Sequence, residues 1–146
     1  MSKIMQQQIR FTEFIDQAAR RTQSEVRRST LGHREALEEL WEVWNECGQP
    51  NWDGYHALPV DQDTYQAAYR LIESLPLGFP RPSLGAQPDG MLTLEWYRSP
   101  TRTFSISINP DGFIHYAGLF GSEEHCGTVP IFDGLPDKVQ RLACEV

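Results

Sequence analysis

One short stretch of the chain, Ser122-Glu123-Glu124-His125-Cys126-Gly127, sets an acid, an imidazole and a thiol side by side. These are the parts of a nucleophilic site, in which a thiolate attacks and a neighbouring histidine takes its proton. The side chains must converge in space, however, and adjacent residues usually point apart. Glu95 and His115 widen the set. A small hydrolase or transferase built from Cys126 or His125 with Glu95 or His115 would need them in one concave pocket within hydrogen-bond reach. Neither H-x-x-x-H nor H-E-x-x-H occurs, and nothing has the spacing of a structural zinc site, so no metal and no cofactor is expected. A Gly-rich phosphate loop, a G-x-S-x-G elbow and a basic-flanked RNA-binding sheet signature are missing too. The leading expectation is therefore a non-enzymatic protein-binding module, antitoxin-like or inhibitor-like, with the Cys/His enzyme as its alternative.

The most distinctive segment is Asn51-Trp52-Asp53-Gly54-Tyr55, followed by Ala57 and Pro59. Asp-Gly permits a tight turn, and Trp52 and Tyr55 supply rigid amphipathic contact area at low entropy cost. Two roles fit. The rings could dock into a partner, with Trp52, Asp53 and Tyr55 as the contact residues. Alternatively, Trp52 and Tyr55 pin the loop to the core while Asp53 caps a turn.

The series Trp52-Asp53-Gly54-Tyr55…Ala57…Pro59, a helix ending in Leu75-Pro76, then Pro88-Asp89-Gly90…Leu94-Glu95-Trp96 and a second Asp111-Gly112 turn, resembles a group of small bacterial proteins with a W-D-G-Y…P motif and no established activity. The resemblance spans roughly residues 40–120 and leaves out the first thirty. It implies a bacterial cytoplasmic domain and assigns no catalytic residue.

Charge divides the chain. Its 146 residues carry a net −7, yet residues 1–30 sum to +3 and the remainder to −10. An acidic body is poorly suited to a phosphate backbone, so nucleic acid is not expected as a partner unless the basic segment alone meets it. In that segment Ile4, Phe11, Phe14, Ile15, Ala18, Ala19 and Val26 recur at helical spacing. Arg20 with Arg27, and Arg21 with Arg28, stand two turns apart on neighbouring lines of one face. Such a helix would lie in a partner's groove through Phe11, Phe14 and the arginines, or pair with its twin in a homodimer. It would equally serve as a helix packed on its own domain with a solvated basic face, since cations suit a helix C-terminus. No stretch approaches the roughly 20 apolar residues of a membrane span, the N-terminus lacks a signal-peptide core, and three scattered cysteines read as reduced thiols; a cytoplasmic protein is expected.

The elements that must position these residues run helices first and sheet later, which predicts an α+β fold, with N-terminal helices packed against a three- to four-stranded antiparallel meander and a short C-terminal helix. Ser29-Thr30-Leu31-Gly32 predicts a break between a helical arm, residues 1–30, and a single domain, residues 31–146. Leu37, Leu40, Trp41 and Trp44 predict a second helix ending near Cys47-Gly48, with both tryptophans largely buried. Asp61 or Asp63 would cap a third helix running to Leu75. Prolines should hold residues 76–90 extended and outside any sheet interior. Alternation then marks strands through Leu92–Tyr97, Thr103–Ile108 and Phe113–Leu119, joined by short turns. Gly121–Gly127 reads as a polar loop, Thr128–Phe132 as a short fourth strand, and Leu135–Cys144 as the terminal helix.

Overall fold

The computed structural model describes the backbone of residues 3–131 and 134–146, and the side chains of residues 10, 12, 13, 15–20, 33–131 and 134–146. Helix α1 (Lys3–Cys47) is one unbroken helix of 45 residues, about 67 Å long. The expected break at Ser29–Gly32 does not occur. Ser, Thr and Gly each cost about 1 kcal/mol or less in a helix interior, and no proline removes a hydrogen bond there. Helix α2 (Gln62–Ser74) is capped by Asp61, whose carboxylate accepts from the Thr64 amide at 2.7 Å. Helix α3 is Asp137–Cys144.

The sheet is a five-stranded antiparallel meander in sequential order: β1 (Ser83–Ala86), β2 (Leu92–Ser99), β3 (Arg102–Ile108), β4 (Phe113–Phe120) and β5 (Glu123–Pro130). The α+β architecture is as expected, but two strands differ from the reading of the sequence. Residues 83–86 are extended and outside the sheet interior as expected, but they form an edge strand absent from that reading, pairing with β2 from Ser83↔Glu95 to Ala86↔Leu92. The polar stretch 123–127 is not a loop but the first half of β5. Between β3 and β4 the Asn109-Pro110-Asp111-Gly112 turn is closed by the Gly112 amide donating to the Asn109 carbonyl, with Gly112 at φ +84°, where only glycine is unstrained.

Alternation gives the sheet two different faces. Inward lie Leu92, Leu94 and Trp96 of β2, Phe104, Ile106 and Ile108 of β3, and Ile114 and Tyr116 of β4. Against them pack Ala36 and Leu40 of α1, Ala68, Leu71 and Ile72 of α2, and Val139, Leu142 and Ala143 of α3. The helical layer meets β1, β2 and β3. Toward β5 the core is finished by aromatic rings lying over glycines: a Cβ on Gly127 would sit 2.5 Å from the Tyr116 hydroxyl, and one on Gly118 would sit 2.8 Å from the Phe104 ring. Both contacts are cross-strand partners, Tyr116↔Gly127 and Phe104↔Gly118.

Trp41 and Trp44 depart from the expected burial. Leu40 is wholly enclosed, and a helix turns the next residue about 100° away from it. Trp41 is 51% exposed, resting against Trp44 (5.7 Å between ring centroids) and Tyr65 (6.3 Å), while Trp44 is half-buried and stacks on Tyr65 at 4.5 Å.

Helix α1 also closes the β1 edge of the sheet. The Leu84 amide donates to Glu39 Oε1 at 3.0 Å, and Arg81 spans Glu35 (2.9 Å) and Glu39 (3.1 Å). At the other end of the helical layer, Arg102 Nε donates to the Glu145 carbonyl at the C-terminus of α3, where helix carbonyls are left unpaired.

Candidate functional site

The Cys/His set is laid out by the sheet register and can be followed strand by strand. Glu95, Ser105, Ala117 and Cys126 form one row across β2, β3, β4 and β5. At about 4.8 Å per strand, three spacings put Glu95 and Cys126 about 14 Å apart. His125 is next to Cys126 in the strand, so its side chain leaves from the opposite face; it meets the Phe120 ring at 5.7 Å and Glu123 at 3.7 Å. His115 shares the outer face with Cys126, but its Nδ1 pairs with Thr128 Oγ1 at 2.8 Å, and its direct partner across the strands is Thr128. The four side chains do not meet in one pocket.

The other two thiols are also ill placed as nucleophiles. Burial pushes the Cys144 thiol up, and burial followed by the charge of Glu46 does the same to Cys47, which favours the unreactive protonated form in both. Cys144 lines a cleft of about 540 Å³ between the Pro76–Phe79 turn and α3, together with Asp137, Gln140 and Arg141. Among the described residues no group of three or more His, Cys, Asp or Glu could hold a metal ion, and no helix is long and apolar enough to cross a membrane.

The 51–58 loop is built largely to hold itself. Trp52 is half-buried against the core, and its indole N–H donates to the Leu58 carbonyl at 3.0 Å. Asp53 Oδ1 accepts from the amides of Tyr55 (2.8 Å) and Ala57 (3.0 Å), and Asn51 Oδ1 accepts from the His56 amide (2.7 Å). These amide bonds, led by that of Tyr55, hold the Asp53 carboxyl below the usual carboxylate range. Asn51 and His56 take positive φ, 61° and 68°, so the loop stores backbone strain that the side-chain bonds offset. Tyr55 does not pin anything: it stands 86% exposed at the tip. Of the three loop residues proposed as contacts, two therefore have internal partners and one faces outward.

On α1, every described side chain from Arg10 to Arg20 is exposed, Ile15 at 49%. The first described residue of the helix to be buried is Ala36. Arg20 is thus on an open surface, whereas the side chains of Phe11, Phe14, Arg21, Arg27 and Arg28 lie outside the described residues. Ile15 precedes Leu40 by 25 residues, about seven full turns, and so falls on the same line of the helix. That line of α1 is packed at Leu40 and exposed at Ile15.

The fold and these surfaces define a two-layer α+β domain with an open-faced sheet and a long helix that runs past its body. The chain matches no protein-family model, no curated protein and no solved structure.

Proposed function

We propose that the protein is a non-enzymatic protein-binding module, antitoxin-like or inhibitor-like, that engages another protein through the part of α1 preceding its body. One observation carries this reading: the helix line buried at Leu40 is exposed at Ile15. An apolar stripe without a covering layer is the usual form of a helix that docks in a groove. The basic balance of residues 1–30 against the acidic remainder adds a preference for an acidic groove, and it disfavours docking on a basic one. Tyr55 is a secondary contact. The W-D-G-Y…P resemblance contributes a bacterial, cytoplasmic setting to the proposal and nothing about its partner.

The test is capture of a partner by the intact chain, followed by affinity measurement with Ile15→Glu and Arg20→Glu. Burying an isoleucine is worth about 2 kcal/mol, so Ile15→Glu should weaken binding about thirtyfold or more, and Arg20→Glu should flatten or reverse the salt dependence. A partner that binds the Ile15→Glu chain with unchanged affinity would place the contact elsewhere.

A further inference from the structure

The two edges of the sheet are not alike. Strand β1 is four residues long, and its Leu84 amide is taken by Glu39 from α1. Strand β5 is eight residues long and, among the described residues, has a neighbour strand on one side alone. The Ile131 amide donates to the Gly112 carbonyl, which fixes the phase of the β4–β5 ladder. His125, Gly127 and Val129 direct their backbone groups at β4, and Glu124, Cys126, Thr128 and Pro130 direct theirs away from the sheet. Glu124, Cys126 and Thr128 thus offer three amide donors and three carbonyl acceptors in an extended row, and proline stands where its missing donor would have faced outward.

From this edge we infer that β5 is a homodimerisation strand, pairing antiparallel with β5 of a second copy across a two-fold axis at Cys126. Three features select that occupant and that register. Centring on Cys126 sets Cys126 opposite Cys126 of the second copy, and Glu124 opposite Thr128 of the second copy. Every outward donor then meets a carbonyl, giving six main-chain hydrogen bonds. An axis at Gly127 would also allow six bonds, but it sets the Glu124 carbonyl opposite Pro130, which has no amide to donate, whereas the axis at Cys126 pairs every outward donor and acceptor of Glu124, Cys126 and Thr128.

Charge supports the antiparallel sense. The only acidic residues of the strand, Glu123 and Glu124, stand at its start. Antiparallel pairing carries the two acidic ends apart and leaves an uncharged centre, whereas a parallel arrangement would stack them. The packing agrees as well. The helices pack mainly over β1, β2 and β3, and the inward side chains His125 and Val129 of β5 are only half-buried. A second copy would extend the sheet to ten strands and place its own half-covered margin beside them. This interface lies on the sheet, away from α1, and stands or falls separately from the proposed use of the helix.

The test uses the full chain carrying Cys144→Ser, so that Cys126 is its one exposed cysteine among the described residues. Sedimentation at tens to hundreds of micromolar should show a dimer, and a short bis-maleimide should link the two copies through Cys126. Cys126→Lys sets two like charges face to face and should weaken the dimer about fivefold or more. Cys126→Pro removes two of the six bonds while sparing the β4 ladder, and should weaken it about thirtyfold. Should the proline variant fail to fold, Cys126→Lys alone decides. Ile15→Glu should leave the dimer intact. A chain that stays monomeric at hundreds of micromolar overturns the inference, and so does a dimer that Cys126→Lys does not weaken or that Cys126 does not cross-link.

Discussion

Replacing Glu39 by alanine would strike the side chain of α1 that accepts a backbone amide of the sheet edge. Its carboxylate takes the Leu84 amide at 3.0 Å and one nitrogen of Arg81 at 3.1 Å, with the Glu39 side chain 29% exposed. A hydrogen bond to a charged group is worth about 1.5–3 kcal/mol, and an exposed ion pair less than about 1 kcal/mol. Solvent access puts the amide bond at the lower end of its range, so the expected loss is about 2 kcal/mol. In a chain of this length that is a fall in Tm of roughly 6–8 °C. Two controls separate the terms. Glu39→Gln keeps an oxygen for the amide and should lose about half as much. Arg81→Ala removes only the ion pairs with Glu35 and Glu39 and should cost less than about 1 kcal/mol. The assay is urea denaturation of the three variants beside the parent, with aggregation followed on heating, because Glu39→Ala also bares a strand edge. If Arg81→Ala costs as much as Glu39→Ala, the charge pair and not the capped amide holds the edge, and the reasoning is wrong.

Three further outcomes follow from the structure. Asp53 titrates below the ordinary carboxylate range when folded, so its contribution is present above the unfolded value and disappears as pH falls through the lowered one. The Ala57 amide and Trp52 indole NMR signals should therefore shift at the acid end in the parent, and Asp53→Asn, which keeps the accepting oxygen, should abolish that titration. Thr64 Oγ1 is buried without a partner, so Thr64→Val should raise stability by about 1 kcal/mol in denaturant titration; a loss of similar size would show that the hydroxyl is paired. Gly118→Val must displace the Phe104 and Phe120 rings and should cost about 1–3 kcal/mol, and a neutral result would mean that the rings move freely.

Strands β2, β3 and β4 were legible because their alternation is carried by large apolar residues and punctuated by Pro, Asp and Gly. Strand β1 was not. Ser83-Leu84-Gly85-Ala86 is too short and too small to announce itself, and its pairing depends on β2 and on Glu39, 45 residues earlier in the chain. Strand β5 was hidden for a different reason: its inward positions are His125, Gly127 and Val129, and Gly127 is a core position only because the Tyr116 ring fills its place from across the ladder. Trp41 misled because aromatic content says how much surface a side chain can bury, not which way its helix line faces. Of the candidate contact residues, Asp53 could be read as a turn cap from Asp-Gly alone, while the exposure of Tyr55 depends on two positive φ angles that no spacing reveals. The β5 edge lay in no motif, because an unpaired row of amides is a property of topology.

The continuity of α1 bears on how the helix comes to exist at all. Starting a helix is unfavourable, since several residues must be fixed before the first bond forms, whereas each later residue adds a bond as it is fixed. In this chain the starting cost falls on residues 36–47, which are held by the core, and the helix can propagate from that seed toward Lys3. The segment before the body is thus templated at its C-terminal end and needs no nucleus of its own. If the segment binds as proposed, its partner gains a ligand already committed to the helical state, and a substitution that loosens Leu40 in the core would be felt as weaker binding some 37 Å away at Ile15.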